Sequence, residues 1–262
     1  MMAFSLLPAL LGSLSGVLVG FTLGLIGGGG SVLAVPLLFY VVGVPNAHVA
    51  IGTSAVAVAI NAAASTIGHA RAGNVRWPCA AAFAIAGVVG AFGGSALGRS
   101  VDGHSLLAAF AVLMVVVAAL MLMRRHSGQD RVVRLNRQNA PAVIATGLGV
   151  GAVSGFFGIG GGFLIVPGLV FATGMPMLQA IGTSLVAVTA FGVTTAGTYA
   201  AAGLVDWTLA AVFVLGGLLG SRLGARAGQA LSQRRGALTQ VFAAVILLVA
   251  AYMLARSFGL VG

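Results

Sequence analysis

Two stretches of consecutive glycine stand out as residues that could do chemistry: Gly27, Gly28, Gly29 and Gly30 followed by Ser31, and Gly158, Gly160, Gly161 and Gly162. Consecutive glycines weaken a helix, since each one costs about 1 kcal/mol relative to alanine, and their N–H groups are not shielded by side chains. A helix restarting just after such a break presents free N–H groups and the positive end of its dipole, which together favour an anion. Each break is followed by a short apolar run with a proline, Pro36 or Pro167, and then by a Gly-Thr-Ser triplet. The triplet hydroxyls of Thr53, Ser54, Thr183 and Ser184 can donate to a substrate oxygen without adding charge. They can equally bond a carbonyl of their own helix one turn back.

Further along the same segments lie Asn61, Thr194 and Thr195, which are candidates for lining a path. His48 and His69 fall near the two ends of one apolar segment, where a side chain titrating near neutral pH can couple a proton or simply sit at the interface. Arg71 or Arg76, at the end of that segment and in the loop after it, is expected near a pathway mouth. No carboxylate falls squarely within an apolar segment, although cation and proton carriers often use one there. An anion held by N–H and hydroxyl donors is the chemistry left. No metal site and no cofactor are expected, and the single Cys79 excludes an internal disulfide.

The elements that position these residues follow from composition. Of 262 residues, 60% are hydrophobic and 6% charged, against about 25% charged in soluble domains. Apolar stretches of about 20 residues recur, each long enough to cross a hydrocarbon core as a helix. Period-two alternation is missing, which leaves an all-α polytopic membrane protein rather than a barrel. The formal charge of +10 comes from arginines clustered between apolar segments, which read as cytoplasmic topology signals and not as a nucleic-acid footprint. No basic residue precedes the first apolar run, so residues 6 to 26 are expected to be a structural helix and not a cleaved signal.

The chain aligns on itself at a spacing of about 130 residues. GLIGGGGSVLAVP (Gly24 to Pro36) matches GFFGIGGGFLIVP (Gly155 to Pro167), AIGTS from Ala50 matches AIGTS from Ala180, and Gly73 and Trp77 match Gly203 and Trp207. We therefore expect a first transmembrane repeat over 1–123, an Arg-rich cytoplasmic linker over 124–139, and a second repeat over 140–262. Each repeat holds five apolar segments, the second of them a re-entrant or half helix, giving about 8–10 membrane segments in all.

Equivalent loops carry opposite topology signals. Arg71 and Arg76 flank Gly73, whereas the loop at Gly203 has Asp206 and no arginine; the nearly neutral stretch Arg99 to Asp102 has Arg222, Arg226, Arg234 and Arg235 opposite it. This is the pattern of inverted-topology repeats, with both termini outside and the two glycine breaks facing each other near the midplane. Glycines at every fourth position, Gly12 to Gly24, Gly147 to Gly155, Gly90 to Gly98 and Gly216 to Gly228, read as helix-packing faces.

The twin glycine-proline blocks with their following GTS triplets resemble the sulfite exporter TauE/SafE family, and the resemblance covers nearly the whole chain. It implies a bacterial inner-membrane transporter of sulfur-containing or organic anions such as sulfite, sulfoacetate and thiosulfate. The residues alone reach only a small anion, with membrane lipid as the other partner, no nucleic acid, and a homodimer compatible with the chain. Secondary active transport by alternating access is the first expectation and a passive anion channel the second. An intramembrane enzyme is disfavoured by the absence of Glu and Lys and of any His paired with a carboxylate inside a segment.

Overall fold

The computed structural model describes residues 6–123, 139–157, 162–232, 240–241, 244 and 247–252. Apart from Asn139, the linker lies outside these residues, as does most of the last apolar segment. Among the described residues the chain is helical, without strands. Helix α1 spans Leu6–Ile26 and passes into a 3-10 helix, Gly27–Leu33. A short α2, Ala34–Pro36, runs on through a π-helical turn, Leu37–Val41. Then come α3 (Ala47–Arg71), α4 (Trp77–Gly98), α5 (Gly103–Met123), α6 (Ala140–Phe157), α7 (Gly162–Thr173), α8 (Met177–Ala201) and α9 (Trp207–Ser232).

Among the described residues six stretches are long and apolar enough to cross a membrane: Ala9–Val41, Ala47–Arg71, Trp77–Gly98, Ala140–Phe157, Met177–Ala201 and Trp207–Leu231. Leu164–Thr173 is a shorter apolar helix, and its length matches the half helix expected after the second glycine break. The chain is a multi-pass membrane protein. Large apolar side chains such as Leu14, Ile85, Phe92 and Leu219 point outward, where lipid is the solvent.

The glycine faces set the packing. A Cβ placed on Gly16, Gly20 or Gly24 of α1 would collide with the carbonyl of Phe213, Gly217 or Ser221 on α9. From the other side Gly216, Gly220 and Gly224 lie on the carbonyls of Ser13, Val17 and Phe21. The same geometry joins α6 to α4, with Gly151 on Gly87, Gly155 on Ala91, Gly90 on Leu148 and Gly94 on Ala152. Small residues let backbones touch where hydrophobic expulsion cannot drive association. Each first helix thus pairs with the third long helix of the other half of the chain. Contacts advance together along both helices of a pair, so the partners run parallel.

At the centre α3 packs on α8 with opposite polarity: His48 and Gly52 lie against Tyr199, and Ala59 lies against Gly192. Both helices end in the same turn. Gly73 (φ 73) and Gly203 (φ 69) take the left-handed conformation that lets a C-cap close. The N–H groups of Asn74 and Leu204 then return to the carbonyls of His69 and Tyr199, each at 2.9 Å.

Candidate functional site

The first glycine break is buried throughout, from Gly27 to Leu33. Gly27 has φ 67, a conformation open mainly to glycine, and a Cβ there would meet Ile181 of α8. The chain reverses at this point, because a Cβ on Gly30 would run into the backbone of Thr22 and Leu23. The stretch is a tight 3-10 turn and not unwound chain. Glycine disfavours the α-helix without preventing a short helix of three residues per turn, in which eclipsed side chains would otherwise crowd. The break is anchored across the molecule, since Gly28 N–H donates to Ser184 Oγ at 3.1 Å. Ser184 Oγ donates in turn to Ile181 O at 2.7 Å, and Ser31 Oγ to Gly28 O at 2.9 Å. Gly158, Gly160 and Gly161 lie outside the described residues; Gly162 opens α7.

The two short segments do meet, for α7 packs on Gly27–Leu33. The side chains they bring into the core are apolar and buried, among them Val32, Val35, Ile165 and Val166.

The GTS triplets fasten the turns at the two ends. Thr183 Oγ1 accepts from the backbone N–H of Arg76 at 3.0 Å, and Thr53 Oγ1 accepts from that of Asp206 at 2.9 Å. The glycine before each threonine carries a close contact: a Cβ on Gly182 would strike Asn74, and one on Gly52 would strike Leu204. Each triplet therefore grips the helix turn belonging to the opposite half of the chain. Antiparallel register between α3 and α8 puts the two threonines about 20 Å apart along the bundle at 1.5 Å per residue. Ser54 Oγ donates to Ile51 O at 2.8 Å, a bond within its own helix.

The turns themselves differ in charge. Asp206 caps α9, its Oδ1 accepting from Thr208 N at 3.1 Å and Leu209 N at 3.0 Å, which complements the positive end of the helix. Arg76 occupies the matching position before α4 and cannot cap it; its Nε donates to Gln179 Oε1 at 2.9 Å. Arg71 is exposed nearby.

Of the expected path residues, Asn61 and Thr195 are fully buried. Neither nitrogen nor oxygen of the Asn61 amide has a hydrogen-bond partner among the described residues, and the same holds for Thr195 Oγ1. Thr194 Oγ1 instead donates to Ala190 O at 2.9 Å, within its own helix. His48 is half-buried, its ring 6.3 Å from that of Tyr199. His69 is fully buried, with Nε2 at 3.3 Å from Gly24 O and Nδ1 without a partner among the described residues. Sequence reasoning missed Ser65 and Tyr199, both buried with hydroxyls that have no partner among the described residues. The spacing Asn61, Ser65, His69, every fourth residue of one helix face, was the available signal for the first. Among the described residues no cluster of three His, Cys, Asp or Glu side chains converges to hold a metal.

Comparison with known proteins adds the family. A probable membrane transporter protein of Xylella fastidiosa is 50% identical over 248 residues, covering 93% of this chain and 94% of that one. The probable membrane transporter protein YdhB of Bacillus subtilis is 26% identical over 212 residues, 80% of this chain and 86% of YdhB. No solved structure matches. The profile described as Sulfite exporter TauE/SafE matches residues 12–253, from the first glycine face to beyond α9, so the chain belongs to the sulfite exporter TauE/SafE family of membrane transporters.

Proposed function

We propose that the protein is a secondary transporter. It moves small sulfur-containing or organic anions, of the sulfite, sulfoacetate and thiosulfate class, across the bacterial inner membrane by alternating access driven by an ion gradient. The observation that carries this reading is the buried helix break at Gly27–Ser31, tied by Gly28 N–H to Ser184 of the other half. Irregular backbone at membrane depth is tolerated where protein surrounds it or a cavity abuts it, and matched breaks of this kind mark transporter sites. The binding groups are Gly27, Gly28, Gly29, Gly30, Ser31 and Ser184, with Gly158, Gly160, Gly161, Gly162 and Ser54 as the matching set, while Thr53 and Thr183, each of which accepts from a backbone N–H, control access to it.

Two halves inserted with opposite orientation account for the antiparallel crossing of the equivalent helices α3 and α8. The contacts of His69 with Gly24 and of Gly24 with Ser221 bring Arg71, Arg222 and Arg226 toward one end of the bundle, which the positive-inside rule makes cytoplasmic. The two threonine latches then act as gates at opposite faces: releasing the Thr183–Arg76 latch opens the inside, and releasing the Thr53–Asp206 latch opens the outside. Arg76, at the inner gate, attracts the anion; Asp206, at the outer one, repels it.

The test is accumulation of labelled sulfite, sulfoacetate or thiosulfate by proteoliposomes. Concentration against the anion gradient, only while an ion gradient is imposed, is the expected result. Flux that never exceeds equilibration would point to a passive pore instead.

A further inference from the structure

Three polar side chains line one face of α3: Asn61, Ser65 and His69, each one helical turn beyond the last. Their exposures are 0%, 4% and 0%. The face begins near the middle of the helix, where Asn61 lies against the bare backbone of Gly217 on α9. It ends at the close of α1, where His69 Nε2 meets Gly24 O. Four atoms on this face have no partner among the described residues: Asn61 Nδ2, Asn61 Oδ1, Ser65 Oγ and His69 Nδ1. Leaving a buried polar group unpaired costs about 1–3 kcal/mol, so a face with several such atoms is costly unless they are used.

The hydrogen bond to Gly24 fixes the histidine chemistry. A carbonyl oxygen only accepts, so Nε2 carries the ring proton and Nδ1 holds the bare lone pair. The equivalent positions of the second half differ. Phe191 stands for Asn61 and stacks on Phe83 with ring centroids 6.2 Å apart. Thr195 stands for Ser65, and Tyr199, which has no basic nitrogen, stands for His69. The hydroxyls of Thr195 and Tyr199 are buried and without a partner among the described residues, as that of Ser65 is, so the repeat supplies a polar face in each half, but only the first half adds an amide and a basic nitrogen to it.

We propose that His69 Nδ1 is the proton-binding atom that couples anion movement to a proton gradient, reached from the bilayer centre through Ser65 and Asn61. This rests on the transporter reading above. A hydronium ion gives its proton to the Nδ1 lone pair, one O–H bond breaking as the N–H bond forms and water being released; the imidazolium then carries N–H on both nitrogens and one positive charge, which offsets that of the anion. When the anion leaves, the same proton returns to water on the side then open.

Few ionisable groups stand on the elements around α3. Leu6–Ile26 and Gly27–Leu33 carry none, and Tyr40 lies in Leu37–Val41. His104 lies in the first turn of α5, and Tyr199 on α8 and Asp206, just before α9, belong to the opposite end of α3. Arg222 and Arg226 on α9, and Arg71 on α3 itself, are exposed. No acidic residue in the sequence other than Asp102, Asp130 and Asp206 exists to take the proton instead.

The full-length protein in proteoliposomes, loaded with a pH-sensitive dye and offered each of the three anions, tests this. Wild type should take up protons as anion enters and concentrate the anion at least tenfold under an imposed pH gradient. His69→Gln, whose amide can still donate to Gly24 O, should lose proton uptake and the concentrating power while anion still moves down its own gradient. Ser65→Ala should slow proton uptake several-fold. Wild-type proton uptake surviving in His69→Gln would overturn the proposal, as would anion flux in wild type driven by sodium without proton uptake. Should His69→Gln fail to fold, normal proton uptake in Ser65→Ala and Asn61→Leu together would overturn it. Absence of any anion flux in wild type would instead remove the transporter reading on which it stands.

Discussion

The backbone N–H of Asp206 donates to the hydroxyl of Thr53 at 2.9 Å, joining the turn before α9 to a helix encoded far earlier in the chain. Thr183 and Arg76 repeat the bond at the equivalent positions. A hydroxyl that satisfies a backbone N–H at a helix start is a capping group supplied in trans.

Thr53→Val and Thr183→Val should each leave a backbone N–H unpaired, a loss of about 1–3 kcal/mol, and should weaken transport. Thr→Ser, which keeps the oxygen, should restore most of both. Thermal unfolding in detergent with anion uptake by the same preparations checks this; a valine variant with unchanged midpoint and uptake would show that the latch does nothing.

Ser184→Ala removes the acceptor for Gly28 N–H and should reduce anion transport several-fold with little change in the amount of folded protein. Uptake kinetics should report it chiefly as a raised KM if the glycine break binds the anion. An unaltered KM would move the binding site away from this turn.

The glycine faces give a contrast within single helices. Gly20→Ala and Gly151→Ala put a methyl group into the carbonyls of Gly217 and Gly87 and should prevent folding, whereas Gly149→Ala, on α6 with Gly151, and Gly93→Ala, on its partner α4, meet nothing within 4 Å. Fluorescence-detected size exclusion should show a monodisperse peak for the open pair and its loss for the packed pair. Equal behaviour of the two pairs would refute the helix pairing.

Opposite insertion of the halves predicts opposite labelling. Ala72 and Ala202 are exposed in equivalent turns and avoid the strained glycine positions. In a Cys79→Ala background, Ala72→Cys should react with an impermeant maleimide only from the cytoplasmic side and Ala202→Cys only from outside. Labelling of both from one side defeats the inversion.

Much of the architecture was legible in the residues. Lipid as solvent followed from the scarcity of charge, and the helix-packing role of the glycines followed from their spacing by four, which places Gly16, Gly20 and Gly24 on one face. Periodicity does not say which helix receives a face, so the pairing of α1 with α9 and of α4 with α6 had to come from the structure. The local chemistry was harder to read. Thr53 and Ser54 are neighbours in sequence, yet one bonds across the molecule and the other bonds its own helix at Ile51; only three-dimensional placement separates these outcomes. Consecutive glycines announced a break at Gly27, but not that the chain would tighten into a 3-10 turn. Ser65 was passed over because a lone serine in an apolar helix carries no signal until its neighbours one turn away are seen to be unpartnered.

The exchange of partners between α1 and α9 has a consequence for biosynthesis. Ribosomes add about 5–20 residues per second, so α1 enters the bilayer on the order of ten to forty seconds before its parallel mate exists. Throughout that interval its bare glycine face must be covered by lipid or by a holding factor. A polypeptide cut within the linker should yield two fragments that are unstable when made separately and that reassemble only when made together in one cell.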